Sequence, residues 1–294
     1  MKKKRDVRFG SRFFMALIGI FLYAPIVLLI VFSFNAGNSN TVWKGFSLMW
    51  YAKLFQNRII MQSVYTTLLV SLLATVIATV AGTFASIGFH AMRRRVRDPL
   101  MMVNSIPMMN ADIVTGVSLC LLFVAFFNGW GTFAGWVNSW QSLVVLPERL
   151  TMGFGTLLIA HVCFNIPYVI LSVGPKLRQM DKNLVDAAQD LGCTWMQAFW
   201  KVILPEISPA ILSAFLICLT YSIDDFMISY FNCGTVETLP IAIYSMTRKK
   251  VSPEIYALST IMFVVILTII LISNAMESRE YRRDQKALRG EDVK

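Results

Sequence analysis

The chain has 294 residues, of which 56% are hydrophobic and only 15% charged, and its mean hydropathy is +0.60. This composition is more apolar than that of an average soluble domain, which argues against an ordinary water-soluble enzyme. In a soluble protein, the net charge of +10 would suggest a nucleic-acid partner. Here the basic residues lie in short runs between apolar stretches. We therefore expect the chain to lie in a lipid membrane and to bind no nucleic acid.

The first apolar stretch follows a basic start, Met1 to Arg5, and stays uncharged from Phe13 to Trp43. The apolar core of a secretory signal is about 7 to 15 residues long. Because this run is much longer, we expect it to be retained as a first membrane span.

Six windows are long and apolar enough to cross a bilayer as helices, which takes about 20 residues each. They are predicted at residues 13–34, 62–90, 99–127, 154–175, 208–231 and 255–276. Asp112 interrupts the third window, and Asp224 and Asp225 interrupt the fifth. No linker divides the chain, so we predict a single all-α transmembrane domain over residues 1–294.

The basic residues alternate between the two sides of these predicted spans. The connections at residues 1–12, 91–98, 176–201 and 277–294 hold 20 of the 27 Lys and Arg residues. By the positive-inside rule these connections are cytoplasmic, and so are both termini. In the second span Ala74, Ala78 and Gly82 recur every four residues, which predicts a face where a neighbouring helix approaches closely.

The connection between the fourth and fifth spans, residues 181–205, is too polar to cross and is predicted to form two short helices. Asn183 is the expected cap of the first, with Asp186 at its third position, and Gly192 ends that helix in the left-handed conformation. Thr194 and Gln197 form a capping box for the second helix.

The second short helix of this connection is expected to stop before the fifth span. Pro205 and Pro209 are predicted to break the chain there, and Ser208 is the expected cap of the fifth span.

Seven positions of this connection match a known pattern: Asp186, Ala187, Ala188, Gly192, Val202, Leu204 and Pro205. At these positions the connection resembles the coupling loop of binding-protein-dependent ABC importer permeases. The family has Glu where this chain has Asp186, which keeps the charge and shortens its reach. The resemblance implies a six-helix type I importer transmembrane domain, whose loop docks into a separate cytoplasmic ATPase.

The sequence contains no GxxxxGK[ST] motif that could cradle nucleotide phosphates. We therefore expect no ATPase site, catalytic residue or cofactor in this chain, with ATP and Mg held by the partner ATPase. The five cysteines include no CxxC pair, so neither a metal site nor a disulfide framework is expected.

Charged residues inside a membrane are costly, so Asp112, Asp224 and Asp225 are expected to face a cavity. Carboxylates along a pathway favour a cationic solute. The residues that could add hydrogen bonds are Asn110, Asn165, Tyr221 and Ser222. Adjacent aspartates on a helix point about 100° apart, so we expect one to line the pathway and the other to pair or cap a local break. Purely structural pairing of all three is the alternative.

A longer resemblance lies in the segments Tyr221 to Asp225, Leu239-Pro240, Ile243 to Met246 and Val251 to Glu254, with Met108, Met109 and Asp112 to Val114 earlier. In these segments the chain resembles the second permease of spermidine/putrescine importers. It implies a polyamine substrate, a heterodimer with a second permease, two ATPase subunits, an extracytoplasmic binding protein and the bacterial cytoplasmic membrane.

Two other functions remain open at this stage, and a third is disfavoured. An importer of the same architecture could carry iron(III), thiamine or a phosphonate. An ion-coupled secondary transporter would leave the capped loop without a role. An intramembrane protease would need a nucleophile and a base. The sequence has no GxSxG or HExxH motif, and its only histidines are His90 and His161. A lone histidine in a span is usually a hydrogen-bonded packing residue.

Overall fold

The computed structural model describes residues 3–37, 42–140, 147, 149–181, 183–249 and 253–288. Helices make up nearly all of them, and extended pairing in this part of the chain is limited to a single bridge between Asn35 and Phe46. In chain order the helices are α1 (Lys3–Ser33), α2 (Met49–Gln56), α3 (Arg58–Ala91), α4 (Arg94–Met109), α5 (Asp112–Trp140), α6 (Phe154–Gln179), α7 (Asn183–Asp190), α8 (Trp195–Ala198), a π-helical turn (Phe199–Ile203), α9 (Leu204–Asp224), α10 (Met227–Asn232), α11 (Leu239–Lys249) and α12 (Glu254–Leu288).

Among the described residues, six segments are long and apolar enough to cross a membrane. They are Phe14–Ser33, Arg58–Ala91, Asp112–Trp140, Phe154–Gln179, Trp195–Asp224 and Glu254–Ile272. The prediction of an all-α membrane protein with six spans is therefore confirmed. The side of the membrane on which each terminus lies stays a prediction.

The third span begins later than its predicted start at Pro99. Asn110 has extended backbone angles (φ −78°, ψ 153°) and separates α4 from α5. Asp112 therefore lies in the first turn of α5 rather than in the middle of a helix. A carboxylate is favourable there because the amide groups of a first turn lack partners and carry partial positive charge.

The prediction of a break at Pro205 and Pro209 is wrong. The second loop helix continues through the π-helical turn Phe199–Ile203 into α9, and the candidate span runs unbroken from Trp195 to Asp224. Pro205 follows the π-helical turn, at whose end the amide of Leu204 donates to the carbonyl of Phe199. Such a local change of helix type lets a membrane helix continue through a proline. Ser208 is not a cap, since its hydroxyl lies inside α9 and donates to the carbonyl of Pro205 at 2.9 Å.

The described residues group into two compact units. The first comprises residues 1–62 and 242–267. Within it, a hydrogen bond connects the Asn35–Phe46 bridge to α2. The indole nitrogen of Trp50 in α2 donates to the carbonyl of Asn35 at 2.7 Å. Phe34 stacks on Phe46 with ring centroids 5.4 Å apart, and this packing closes the turn between α1 and α2.

The second unit comprises residues 63–241 and 268–294 and contains the coupling-loop candidate. Its main apolar cluster joins α6 to the π-helical turn and α9. The buried members are Val169, Val173, Leu177, Phe199, Ile203, Ile207, Ala214 and Cys218. Burial of this shared cluster connects the loop of residues 181–205 directly to the interior of the unit.

The close approach predicted for the second span is present between α3 and α6. Ala74 and Ala78 are fully buried, and a Cβ added at Gly82 would lie 2.7 Å from the Cβ of Val169. The absence of a side chain at Gly82 is what allows this contact, as at small-residue interfaces of other membrane helices.

We expect Gly82→Ala to destabilise the protein by about 1–3 kcal/mol, because the added methyl group overpacks the interface with α6. Gly88→Ala is the matched control on the same helix, since nothing lies within 4 Å of a Cβ at that position. Thermal unfolding in detergent measures the difference. Equal midpoints for the two variants would contradict the close packing at Gly82.

Candidate functional site

A cavity of about 450 Å³ lies in the second unit, among residues of α5, α6, α9 and α10. Three carboxylates, Asp112, Asp224 and Asp225, line it. The structure therefore brings together the three acidic residues that the sequence places in apolar spans. Their shared cavity is strongly acidic and attracts cations.

Breaks in the helices place these carboxylates at the cavity. Asp224 is the last residue of α9, and Asp225 follows in extended conformation (φ −64°, ψ 122°) before α10 begins at Met227. Asp112 follows the break at Asn110. Irregular backbone within apolar spans is tolerated where it borders a cavity or is buried in protein.

Aromatic rings form much of the remaining wall of the cavity. They belong to Phe164, Tyr168, Tyr221 and Phe226. The rings of Tyr168 and Tyr221 are tilted against each other, with centroids 4.9 Å apart. Aromatic faces attract ammonium groups, and their apolar edges accommodate methylene chains. Of these four residues, the sequence predicted only Tyr221. Phe164 and Tyr168 lie four residues apart on α6, and this spacing is the sequence signal that places both on one face of the helix.

The adjacent aspartates have different environments. The Asp225 side chain is only 8% exposed, and its carboxylate accepts hydrogen bonds from the amides of Ile228 at 3.3 Å and Ser229 at 2.7 Å. Asp224 is exposed and has no hydrogen bond or ion pair within the part of the chain that the structure describes. Asp225 thus caps the start of α10, and Asp224 is free to meet a ligand.

His161 of α6 lies behind the cavity wall and is 2% exposed. Its Nδ1 is 2.6 Å from the hydroxyl oxygen of Ser222, and its Nε2 is 2.9 Å from that of Ser229. The prediction of a hydrogen-bonded packing residue is confirmed. Its two partners lie on either side of the break between α9 and α10, which the sequence does not reveal.

Other predicted polar residues lie elsewhere. Asn110 is exposed in the break between α4 and α5, and it does not line the acidic cavity. Asn165 is fully buried, and its amide atoms have no hydrogen-bond partner among the described residues. Ser222 is also buried and binds His161 instead of facing the cavity.

A larger cavity, of about 710 Å³, has the opposite electrostatic character. It is bordered by Arg97, Asp98 and Arg178 among mostly apolar side chains of α4. Arg97 and Asp98 form an ion pair at 3.0 Å, which leaves Arg178 as the excess charge. A positive cavity is unfavourable for a cationic solute, so charge rather than volume distinguishes the acidic cavity as the candidate site.

The loop of residues 181–205 has a well-defined first helix, α7. Asn183 was predicted to cap this helix, but it is the first helical residue of α7, and its amide donates to the carboxylate of Asp181 at 3.0 Å. A carboxylate two residues before a helix can satisfy the same orphan amides that a serine or asparagine cap would satisfy. Lys182 lies outside the described residues.

The end of α7 is confirmed at Gly192, which has φ +88°. The amide of Cys193 donates to the carbonyl of Ala188 at 3.0 Å, and the amide of Gly192 donates to that of Gln189 at 2.8 Å. These two bonds define a Schellman motif. The Schellman motif requires a residue in the left-handed backbone conformation at the position of Gly192. Glycine adopts this conformation without steric cost.

The start of the second loop helix is confirmed at the capping box. The amide of Gln197 donates to the hydroxyl of Thr194, and the amide of Thr194 donates to the side chain of Gln197, at 3.3 and 3.0 Å. Phe199 then anchors the helix in the main apolar cluster.

The surface of this loop is apolar although it is exposed. The large exposed side chains are Leu184, Leu191, Trp195, Met196 and Trp200. Asp186 and Ala187 are also exposed, Ala188 is buried, and Leu204 and Pro205 form the first turn of α9. This concentration of exposed apolar side chains on one short loop favours a protein–protein docking surface.

An acidic cavity among apolar spans and a capped helical loop at one end of them are features of a solute permease of the ABC class. Residues 78–283 match the family described as binding-protein-dependent transport system inner membrane component. The chain belongs to this family, and it is a multi-pass membrane protein.

The sequence is also similar to those of individual polyamine permeases. It is 34% identical to the putrescine transport system permease protein PotI of Escherichia coli, covering 97% of this chain and 98% of that protein. It is 34% identical to the spermidine/putrescine transport system permease protein PotC of Haemophilus influenzae, covering 88% and 93%.

Solved structures share the fold at lower identity. A bacterial alginate ABC transporter in complex with alginate pentasaccharide-bound periplasmic protein has a TM-score of 0.68 at 17% identity, covering 94% of this chain and 96% of that one. An amino acid ABC transporter has a TM-score of 0.51 at 18% identity, covering 79% and 99%. These likenesses extend the evidence for the fold to most of the chain.

Proposed function

We propose that this chain is a membrane permease subunit of an ATP-driven ABC importer for polyamines such as spermidine and putrescine. The single observation that carries the proposal is the cavity in which Asp112, Asp224 and Asp225 meet four aromatic rings. A polyamine is a chain of methylenes between ammonium groups, so it needs both anionic and apolar contacts. The permease relatives for putrescine and spermidine/putrescine support this choice of solute.

The proposed energy source is a separate cytoplasmic ATPase that binds ATP and Mg. In this proposal α7 and α8 dock on the ATPase, and its closure moves the span that begins at Trp195. The continuity of the helix supports such a linkage, because α8 runs on through the π-helical turn into α9 and a displacement of α8 is carried to the span. The continuity from α8 to α9 also connects the docking surface to Asp224 at the far end of α9.

The proposed assembly pairs this chain with a second, homologous permease, so that each supplies half of the translocation pathway. Two ATPase subunits dock on the cytoplasmic loops, and an extracytoplasmic polyamine-binding protein delivers the solute. The proposed location is the bacterial cytoplasmic membrane, with both termini inside. The excess of Lys and Arg in the four connections assigned to that side supports this orientation.

Uptake into proteoliposomes tests this function. The complete complex, with its binding protein and enclosed ATP, is expected to accumulate radiolabelled spermidine or putrescine. Omission of ATP or of the binding protein should stop the uptake. Uptake that follows an imposed ion gradient without ATP would establish a secondary transporter instead. ATP-driven uptake of iron(III), thiamine or a phosphonate, but no polyamine, would keep the importer class and overturn the proposed solute.

A further inference from the structure

The hydrogen bonds around His161 have a defined direction. Asp225 is a carboxylate and only accepts hydrogen bonds, so the hydroxyl of Ser229 donates to its Oδ2 at 2.8 Å. A hydroxyl has one proton, so Ser229 cannot also donate to His161. The close contact of 2.9 Å between Nε2 and the Ser229 oxygen therefore requires that Nε2 carries the proton.

The other ring nitrogen follows from this assignment. In a neutral imidazole one nitrogen donates and the other accepts, so Nδ1 accepts the hydroxyl proton of Ser222 across 2.6 Å. The three bonds form a relay that runs from Ser222 through His161 and Ser229 to Asp225. All three donors point towards the carboxylate, and bonds aligned in this way reinforce one another.

The relay joins the three elements that meet at the break. His161 belongs to α6, Ser222 to α9 and Ser229 to α10. The imidazole also packs edge-on against Phe164, with centroids 5.4 Å apart, and Phe164 lines the acidic cavity. One buried side chain thus contacts both a ring of the cavity wall and the network that holds a cavity carboxylate.

We propose that His161 is a positioning residue of the permease. Through Ser229 it holds Asp225 as the cap of α10, and this fixes the break that leaves Asp224 exposed to the cavity. The two adjacent aspartates thereby have separate tasks: Asp225 maintains the local structure, and Asp224, together with Asp112, receives the ammonium groups of the solute. The role of Asp224 rests on the proposed polyamine function, whereas the relay itself does not.

The protonation of His161 can be measured without any transport substrate. The chain has only two histidines, so ¹⁵N NMR of the reconstituted complex with labelled permease and His90→Gln reports a single imidazole. We expect a protonated Nε2 and an unprotonated Nδ1. Ser229→Ala should shift the ¹⁵N resonance of Nε2, because the imidazole loses its acceptor at 2.9 Å and keeps only the carboxylate of Asp225 at 3.6 Å. Ser208→Ala, which removes an exposed hydroxyl of α9, should leave that resonance unchanged. A proton fixed on Nδ1, or no response to Ser229→Ala, would overturn the relay.

Transport measures the positioning role. His161→Leu is expected to lower polyamine uptake by about tenfold, because contacting residues of one network are energetically coupled. His161→Gln should restore most of the uptake, since its amide can donate to Ser229 and accept from Ser222. Equal uptake by the wild type and His161→Leu, or no difference between His161→Leu and His161→Gln at matched membrane levels, would overturn the positioning role.

The two proposals fail separately. A wild-type complex that takes up no polyamine contradicts the proposed function alone, because the NMR readout still decides the relay. A fixed Nδ1–H tautomer in a complex that does transport polyamines contradicts the relay alone.

Discussion

Asp224→Asn is expected to lower polyamine uptake by about 10- to 150-fold. A hydrogen bond to a charged group contributes about 1.5–3 kcal/mol, and each 1.4 kcal/mol corresponds to a factor of ten. Asp224 is an exposed carboxylate of the acidic cavity, and it has no competing partner within the described part of the chain. Its loss therefore leaves an ammonium group of the solute without its counter-ion. The measurement is ATP-driven uptake of radiolabelled spermidine and putrescine.

Matched substitutions separate this effect from a general loss of charge. Glu237→Gln changes an exposed carboxylate after α10 that does not line the acidic cavity, and we expect wild-type uptake. Asp225→Asn should reduce uptake less than Asp224→Asn, because the asparagine oxygen can still accept from the amides of α10. Full uptake by Asp224→Asn would place the recognition of the solute at another site.

Gly192→Pro is expected to abolish uptake while the permease still inserts into the membrane. Gly192 has φ +88°, and proline is confined to about −65°. Proline also lacks the amide proton that Gly192 donates to Gln189. The Schellman turn between α7 and α8 therefore cannot form, and the docking surface on either side of it is lost. The measurements are uptake, ATP hydrolysis by the assembled complex and the amount of permease in the membrane.

Two further substitutions at the same position test whether backbone conformation is the cause. Asparagine adopts the left-handed region more readily than other residues with a side chain, so Gly192→Asn should keep much of the uptake. A β-branched residue avoids that region, so Gly192→Val should approach the loss seen with proline. Equal activity of the Asn and Val variants would show that the turn is not what couples this loop to transport.

Features that depend on neighbours along the chain were predictable. A backbone in lipid must satisfy its own hydrogen bonds, so every apolar window of about 20 residues becomes a helical span. The number of spans could therefore be counted from the apolar windows of the sequence. The capping box of Thr194 and the left-handed turn at Gly192 follow from bonds within five residues. Prolines were the exception, because the π-helical turn before Pro205 lets the helix continue where a break was predicted.

Features that depend on packing between distant segments were decided by the tertiary structure. The cavity is assembled from residues between 112 and 228, which no local pattern relates. The different roles of Asp224 and Asp225 are set by the break after α9 and by His161, which lies 61 residues before Ser222 and 68 before Ser229. Side-chain periodicity shows that adjacent residues diverge on a helix, but which one reaches the cavity depends on where that helix stops and on what packs behind it.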